Sequence, residues 1–284
     1  VMKLGKLPTL AGIAYINSDD DSKLVTISDS RAPTSEAYRV LRTAIQFSVV
    51  DKTNSVLLMT SGVPGEGKST TAGNLAVVLA QAGNNVLVID GDLRRPSQHE
   101  MFNLPNKRGV TSLLLKLNAD DSDIEVRNLV EDTVQPTQVE GLQIMTCGPI
   151  PPNPSELLGS SKMRRSLDVL DKQFDFVIVD SPPVLSVRDS AVLSAFAVTT
   201  LILVLANRSR KEELKQVVER LEDVNAKVAG VVLNSLKSGS EGHDFYYYYK
   251  DSYYTYGDDG DKSKTEPKSK LRKRFQRGQE AVQS

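Results

Sequence analysis

The sequence predicts an α/β fold, a mostly parallel sheet with helices on both faces and a flexible C-terminal tail. Three observations carry that expectation. Five short runs, at 56–60, 86–90, 176–180, 198–205 and 228–233, are apolar nearly throughout. A strand with one wet face alternates apolar and polar residues, so runs without alternation belong to strands covered on both sides. Between these runs lie stretches of helical character, at 70–81, 155–170 and 211–224, and strands alternating with helices indicate parallel crossovers. The third observation is a glycine-rich loop with a strand before it and a helix after it.

That loop is Gly62-Val63-Pro64-Gly65-Glu66-Gly67-Lys68-Ser69, followed by Thr70. It fits G-x-x-x-x-G-K-[ST], and Ala72, Leu75, Ala76, Leu79 and Ala80 behind it have helical spacing. Glycines let backbone N–H groups turn inward around phosphate oxygens, and the helix N-terminus adds its positive end. Lys68 then reaches the β/γ-phosphates and the Ser69 hydroxyl ligates Mg²⁺. A glycine turn before a core helix is the bland alternative, but the flanking elements favour a P-loop NTPase that binds a nucleoside triphosphate.

Composition bounds the rest. At 284 residues, 39% hydrophobic and 25% charged, the chain suits one generous α/β domain. A net charge of −1 gives no pull towards nucleic acid or anionic membrane. No apolar run approaches the length of a bilayer span, and no signal-peptide pattern is present. The single Cys147 cannot form an internal disulfide and fits a reducing compartment. His99 and His243 stand alone, each a surface or structural residue by default. The Val-Met start fits a piece cut from something longer.

In chain order, residues 1–28 look like a connector, with a short edge strand within 7–16. A helix starts near Thr34 or Ser35, either of which can cap it. Ala37, Val40, Leu41, Ala44 and Ile45 form its apolar stripe, and Glu36, Arg39 and Arg42 another face. The local alternative for that face is a Glu36–Arg39 surface pair, worth a few tenths of a kcal/mol. Residues 97–145 are less regular, with a helical piece at 110–117 and a strand at 142–145. A rigid proline loop spans 148–154, and Ser155 can cap the helix reaching to 170. The domain is expected to cover 29–236 and the tail 237–284. Seven of the chain's nine tyrosines fall in the tail, at Tyr246, Tyr247, Tyr248, Tyr249, Tyr253, Tyr254 and Tyr256, before a basic end at 262–277.

Asp180 and Asp90 each close an apolar strand, where ligands bind in open α/β sheets. Asp180 is the candidate partner of Mg²⁺, and Asp90 a second metal or catalytic carboxylate. Asp92 is either part of the same group or a turn residue.

Taken together these motifs resemble the bacterial tyrosine kinases of capsule and exopolysaccharide synthesis. Residues 62–69 look like their Walker A motif, 86–96 like their second aspartate-bearing motif and 176–180 like Walker B. The Glu36, Arg39, Arg42 pattern is similar to their ring-assembly helix, and 246–256 to their autophosphorylated tyrosine cluster. The resemblance covers roughly residues 29–256. It implies ATP and Mg²⁺ as cofactors, Lys68 on the phosphates, and Ser69, Asp180 and Asp90 at the metal. Asp90 acts as base or acceptor-positioning group with Asp92 in support, and Asn234 hydrogen-bonds the base of the nucleotide. It further implies transfer between subunits of a homo-oligomeric ring, and no nucleic-acid partner. A membrane activator would hold the protein at the inner face of the plasma membrane, and a tyrosine phosphatase would reverse the modification. The rivals are a partitioning or septum-site switch ATPase and a non-catalytic ATP-binding regulatory subunit. The switch ATPases carry a lysine just after the first loop glycine, where this chain has Val63.

Overall fold

The computed structural model describes residues 7–15, 23–49, 56–118 and 120–236. Eight strands form one sheet: β1 (Thr9–Ala14), β2 (Val56–Ser61), β3 (Val86–Asp90), β4 (Val134–Pro136), β5 (Leu142–Met145), β6 (Phe176–Asp180), β7 (Thr199–Leu205) and β8 (Val228–Leu236). Their order across the sheet is β1-β8-β7-β2-β6-β3-β5-β4, and among the described residues only the β4–β5 pairing is antiparallel. The helices are α1 (Val25–Ser28), α2 (Pro33–Val49), α3 (Lys68–Ala80), α4 (Gln98–Met101), α5 (Val110–Lys116), α6 (Asp123–Glu131), α7 (Pro154–Leu158), α8 (Ser161–Leu170), α9 (Asp189–Ser194) and α10 (Lys211–Glu222).

The unbroken apolar runs are explained by two cores. Leu57, Met59, Val86, Val88 and Ile178 pack on the face covered by α2 and α3. Their neighbours Val56, Leu58, Leu87, Ile89, Val177 and Val179 pack on the opposite face, against residues of α5, α6 and α8. A smaller cluster joins α10 to β7 and β8 through Leu214, Val217, Ile202 and Val231. Successive strand residues point to opposite faces, so a two-sided sheet needs both sets apolar. α3 is buried from Thr71 to Ala80 on all sides because α1 and α2 lie over it.

Several expectations change. Part of the segment read as a connector belongs to the domain: β1 pairs with β8, and Ile13 is fully buried. The α1 turn is pinned to α3 by Asn74, whose Oδ1 accepts from Thr26 N at 3.0 Å and whose Nδ2 donates to Lys23 O at 2.9 Å. α2 begins at Pro33, where a missing N–H costs nothing. Ser35 is buried instead of capping, its hydroxyl donating to Asp29 O at 2.7 Å. In the α2 stripe Tyr38 is fully buried, whereas Val40 is only half-buried.

The helix expected over 155–170 is two, broken at Gly159-Ser160, and Ser160 caps the second by accepting from Met163 N at 3.3 Å. The irregular stretch 97–145 contains α4, α6 and β4 as well. α6 starts with a capping box in which Ser122 and Glu125 satisfy each other's backbone N–H. β8 runs through to Leu236, so Asn234 lies within a strand and not after one. The tyrosine cluster and the basic end lie outside the described residues, as does His243. Among the described residues no helix is long and apolar enough to cross a membrane.

Candidate active site

β2 delivers the glycine loop at the centre of the sheet, between β6 and β7. Gly65 and Gly67 both have φ of +84°, a conformation that lets the loop turn back on itself and that side chains resist. Gly67 caps α3 without any side-chain hydrogen bond to the helix. The first N–H groups of a helix have no partner within it. Those of Lys68, Ser69 and Thr70 therefore converge with the helix dipole on one small volume, a site built for an anion.

The loop is braced from behind. Glu66, only 2% exposed, accepts from Val63 N at 3.0 Å through Oε2. Its Oε1 accepts from Leu205 N at 3.4 Å and from the Ser209 hydroxyl. That carboxylate thus ties the loop to the end of β7, while its main chain stays in the cradle. Asn234 supports the other side, Nδ2 donating to Glu66 O at 3.0 Å. A Cβ at Gly67 would stand 1.9 Å from that Nδ2, so the Asn234 side chain would have to give way, and the φ of +84° itself favours glycine.

Asp90 and Asp180 are register partners on the neighbouring strands β3 and β6, which sets their carboxylates side by side. Both are fully buried. Burial and then the Asp180 charge push Asp90 up to about 8, against the pull of two backbone N–H donors. Asp180 is also raised, by burial above all, while the nearby Ser69 hydroxyl, Lys68 ammonium and Gln98 carboxamide oppose the shift. Asp90 Oδ2 accepts from Ser97 N and Gln98 N, each at 2.9 Å. Gln98 Nε2 donates to Asp180 Oδ2 at 2.9 Å and to Ser69 O at 3.2 Å. Asp90 Oδ1, Asp180 Oδ1 and Gln98 Oε1 are buried without a hydrogen-bond partner. Three orphaned acceptor oxygens beside a phosphate cradle fit a hard cation. Mg²⁺ takes one or two carboxylates and completes its shell with water and phosphate. Among the described residues no group of three or more His, Cys, Asp or Glu is placed to hold a metal ion by itself.

Asp92 is half-buried and serves the turn after β3, its Oδ1 accepting from Arg95 N at 3.0 Å and Arg94 N at 3.3 Å. Arg94 then anchors this turn. Its Nε donates to Asp189 Oδ2 at 2.8 Å, and its Nη2 to Asp189 Oδ1 at 3.3 Å and to Ser155 Oγ at 3.0 Å. Ser155, expected as a helix cap, instead donates to the fully buried Asp189. Cys147 is buried near Asp90, and its thiol is pushed up to about 12 by burial and then by that carboxylate, an inert state.

The structure therefore brings together residues 62–70, Asp90, Asp180 and Asn234. Glu36, Arg39 and Arg42 lie elsewhere, on α2. Arg39 pairs with Glu36 at 2.8 Å and donates to Ser30 O at 2.6 Å. Arg42 Nη1 donates at 3.1 Å to Val78 O, ten residues beyond Lys68 on α3 and so about 15 Å along that helix. The residues not foreseen are Gln98, the bracing role of Glu66 and the Arg94–Asp189 pair. Gln98 carried no local signal. The run of charged residues after Asp90 was visible, but its partner Asp189 is 95 positions away in the chain.

Comparison with known proteins gives this geometry a family. The model described as ParA: NUBPL iron-transfer P-loop NTPase matches residues 52–253. Tyrosine-protein kinase YwqD of Bacillus subtilis (strain 168) is 38% identical over 230 residues, covering 81% of this chain and 93% of that protein. The putative tyrosine-protein kinase CapB of Staphylococcus aureus is 35% identical, covering 81% and 96%. The crystal structure of the chimerical protein CapA2B2 is similar with a TM-score of 0.72 at 39% identity, over 82% of this chain and 96% of that one. The kinase domain of Escherichia coli tyrosine kinase ETK gives a TM-score of 0.73 at 29% identity, over 82% and 92%. The Pyrococcus furiosus cell division ATPase MinD, at 24% identity and a TM-score of 0.52, shares the fold alone. With its P-loop, its paired strand-end aspartates and these relatives, the chain belongs to the bacterial tyrosine-protein kinases, a branch of the ParA-type P-loop NTPases.

Proposed function

We propose that this chain is an ATP-dependent autokinase that phosphorylates the tyrosines of residues 246–256 on a neighbouring subunit and thereby regulates capsule or exopolysaccharide synthesis and export. The observation that carries the reading is the pair of buried carboxylates, Asp90 and Asp180, in register beside the loop of Lys68 and Ser69. A second buried carboxylate at the same level can take a phenol's proton once it is ionised, a state that burial opposes in the empty site and that the positive charge of a bound cation would favour.

In this mechanism the amides at the start of α3 and the Lys68 ammonium hold the phosphates and neutralise charge that spreads over the equatorial oxygens. Ser69 and Asp180 would hold Mg²⁺, which would supply further positive charge to the phosphates. A tyrosine hydroxyl has an ordinary pKa of about 10 and arrives protonated. Its oxygen forms the new O–P bond as the bond from the γ-phosphorus to the bridging oxygen breaks, and its proton passes to Asp90. Asp92 shapes the turn beside that acceptor. Asn234 uses one Nδ2–H on Glu66 O, and its second Nδ2–H and remaining Oδ1 lone pair serve the adenine base.

Transfer runs between neighbours in a ring, each site working on the tail of the next subunit. α2, with Glu36, Arg39 and Arg42, is the contact. Full modification places roughly −10 to −14 charges on each tail, which disperses the ring. A membrane activator holds the assembly at the inner face of the plasma membrane, a tyrosine phosphatase resets it, and nucleic acid has no part. Light scattering tests the cycle on unmodified protein, fully phosphorylated protein and a Glu36/Arg39/Arg42→Ala variant, each with the activator's cytoplasmic segment. The first should be the large species and the other two monomers. An oligomer that survives complete phosphorylation removes the switch.

A further inference from the structure

We infer that Gln98 is a positioning residue of the metal centre: it ties down one oxygen of each buried carboxylate and so leaves the other oxygen of each open. The inference rests on the Mg²⁺ site proposed above. The carboxamide orientation is fixed by chemistry, because the two groups facing Nε2, Asp180 Oδ2 and Ser69 O, are both acceptors. The Gln98 main-chain N–H meanwhile holds Asp90 Oδ2. One fully buried residue thus bonds to the phosphate loop, to the end of β3 and to the end of β6.

The consequence lies in what remains. On both carboxylates it is Oδ2 that is occupied and Oδ1 that is unpartnered, and Gln98 Oε1 is unpartnered with them. An unpaired buried acceptor is costly, and two or three together are tolerated where a donor or cation is to arrive. Without the side-chain N–H, Asp180 loses its fixed rotamer and its Oδ1 no longer has one direction. The segment that carries Gln98 has little freedom to compensate, since Asp90 holds Ser97 N and Asp189 holds Arg94.

The test is calorimetric binding of ADP to the full chain, with Mg²⁺ and with EDTA, for wild type, Gln98→Met and Gln98→Asn. Methionine keeps the volume and removes the donor. Asparagine keeps the donor on a stem one methylene too short to reach Asp180. In the wild type Mg²⁺ should tighten ADP binding. Both variants should keep the metal-free affinity and need about 10-fold or more Mg²⁺ to reach half of that tightening, the usual effect of losing a partner behind a metal ligand. If wild type gains nothing from Mg²⁺, the metal site itself is wrong. If wild type gains and both variants keep the same Mg²⁺ requirement, the role given to Gln98 is wrong. Equal loss of metal-free and metal-linked binding would also overturn it, making Gln98 a general support of the fold.

Discussion

Replacing Asp90 with asparagine should make the ligand-free protein more stable while disabling transfer. Asp90 is fully buried beside Asp180, with its pKa raised to about 8 from an ordinary 3.8. A carboxyl whose folded pKa exceeds its unfolded value holds its extra proton in the folded state. Its contribution to stability is fully present below about 3.8 and is lost as pH rises to about 8. Across that window each pH unit costs about 1.4 kcal/mol, or about 3 kcal/mol between pH 5 and pH 7. Asparagine does not titrate. Its Oδ1 can still accept from Ser97 N and Gln98 N, and its Nδ2 replaces an orphaned acceptor with a donor among acceptors. Urea denaturation of wild type and Asp90→Asn at pH 5, 6 and 7, without nucleotide, measures the difference. The advantage of asparagine should grow steadily with pH. A difference that stays flat, or an asparagine variant that becomes relatively weaker towards pH 7, would refute the account of these two carboxylates. Tyrosine phosphorylation by the same variant should fall sharply with nucleotide binding retained, and wild-type transfer would demote Asp90 to a turn residue.

Two further substitutions probe the scaffold. Gly67→Ala places a Cβ 1.9 Å from Asn234 Nδ2 at a φ of +84°. It should cost about 1–2 kcal/mol in backbone strain alone and abolish ATP binding in calorimetry while circular dichroism stays native; retained affinity would show that the loop has slack. Arg94→Ala strips the partner from Asp189, and because the arginine side chain is 40% exposed the loss should fall short of a fully buried pair. A loss of about 2 kcal/mol in urea denaturation is expected, largely recovered by adding Asp189→Asn, since the cost is an uncompensated buried charge. An additive double variant would contradict that reading.

The parts of this architecture that sequence made legible are those whose signal is local. Residues 56–80 carry strand, loop and helix in one contiguous stretch, and the strands ending in Asp90 and Asp180 are apolar on both faces because the sheet is covered on both faces. The α6 capping box is a local signal too, Ser122 three residues before Glu125, within the stretch expected to be less regular. Other features were not available locally. Tyr38 is in helical register with Leu41 and Ile45, three and seven positions on, but a tyrosine's hydroxyl gives no local sign of the full burial it finds where α2 lies on the sheet and α3. The break at Gly159-Ser160 divides a stretch that reads as one amphipathic helix. Gln98 and the Arg94–Asp189 pair exist only once distant segments meet at the C-terminal ends of β3 and β6. Asn234 stood out only through the resemblance, and its bond to Glu66 O exists because β8 runs beside the glycine loop.

The central claim is that the loop containing Lys68 transfers phosphate to the tail tyrosines of a neighbouring chain, and mixing two disabled chains tests it directly. One chain carries Lys68→Met, removing charge from the phosphates while leaving the tail intact. The other keeps the site and has the seven tail tyrosines changed to phenylalanine. Each is incubated with ATP, Mg²⁺ and the activator's cytoplasmic segment, alone and together, and phosphotyrosine is mapped by mass spectrometry. Phosphate should appear at tyrosines within 246–256 of the Lys68→Met chain in the mixture, and in neither chain alone. Phosphotyrosine on the Lys68→Met chain by itself, or none in the mixture while the wild-type chain labels its own tail, would contradict it.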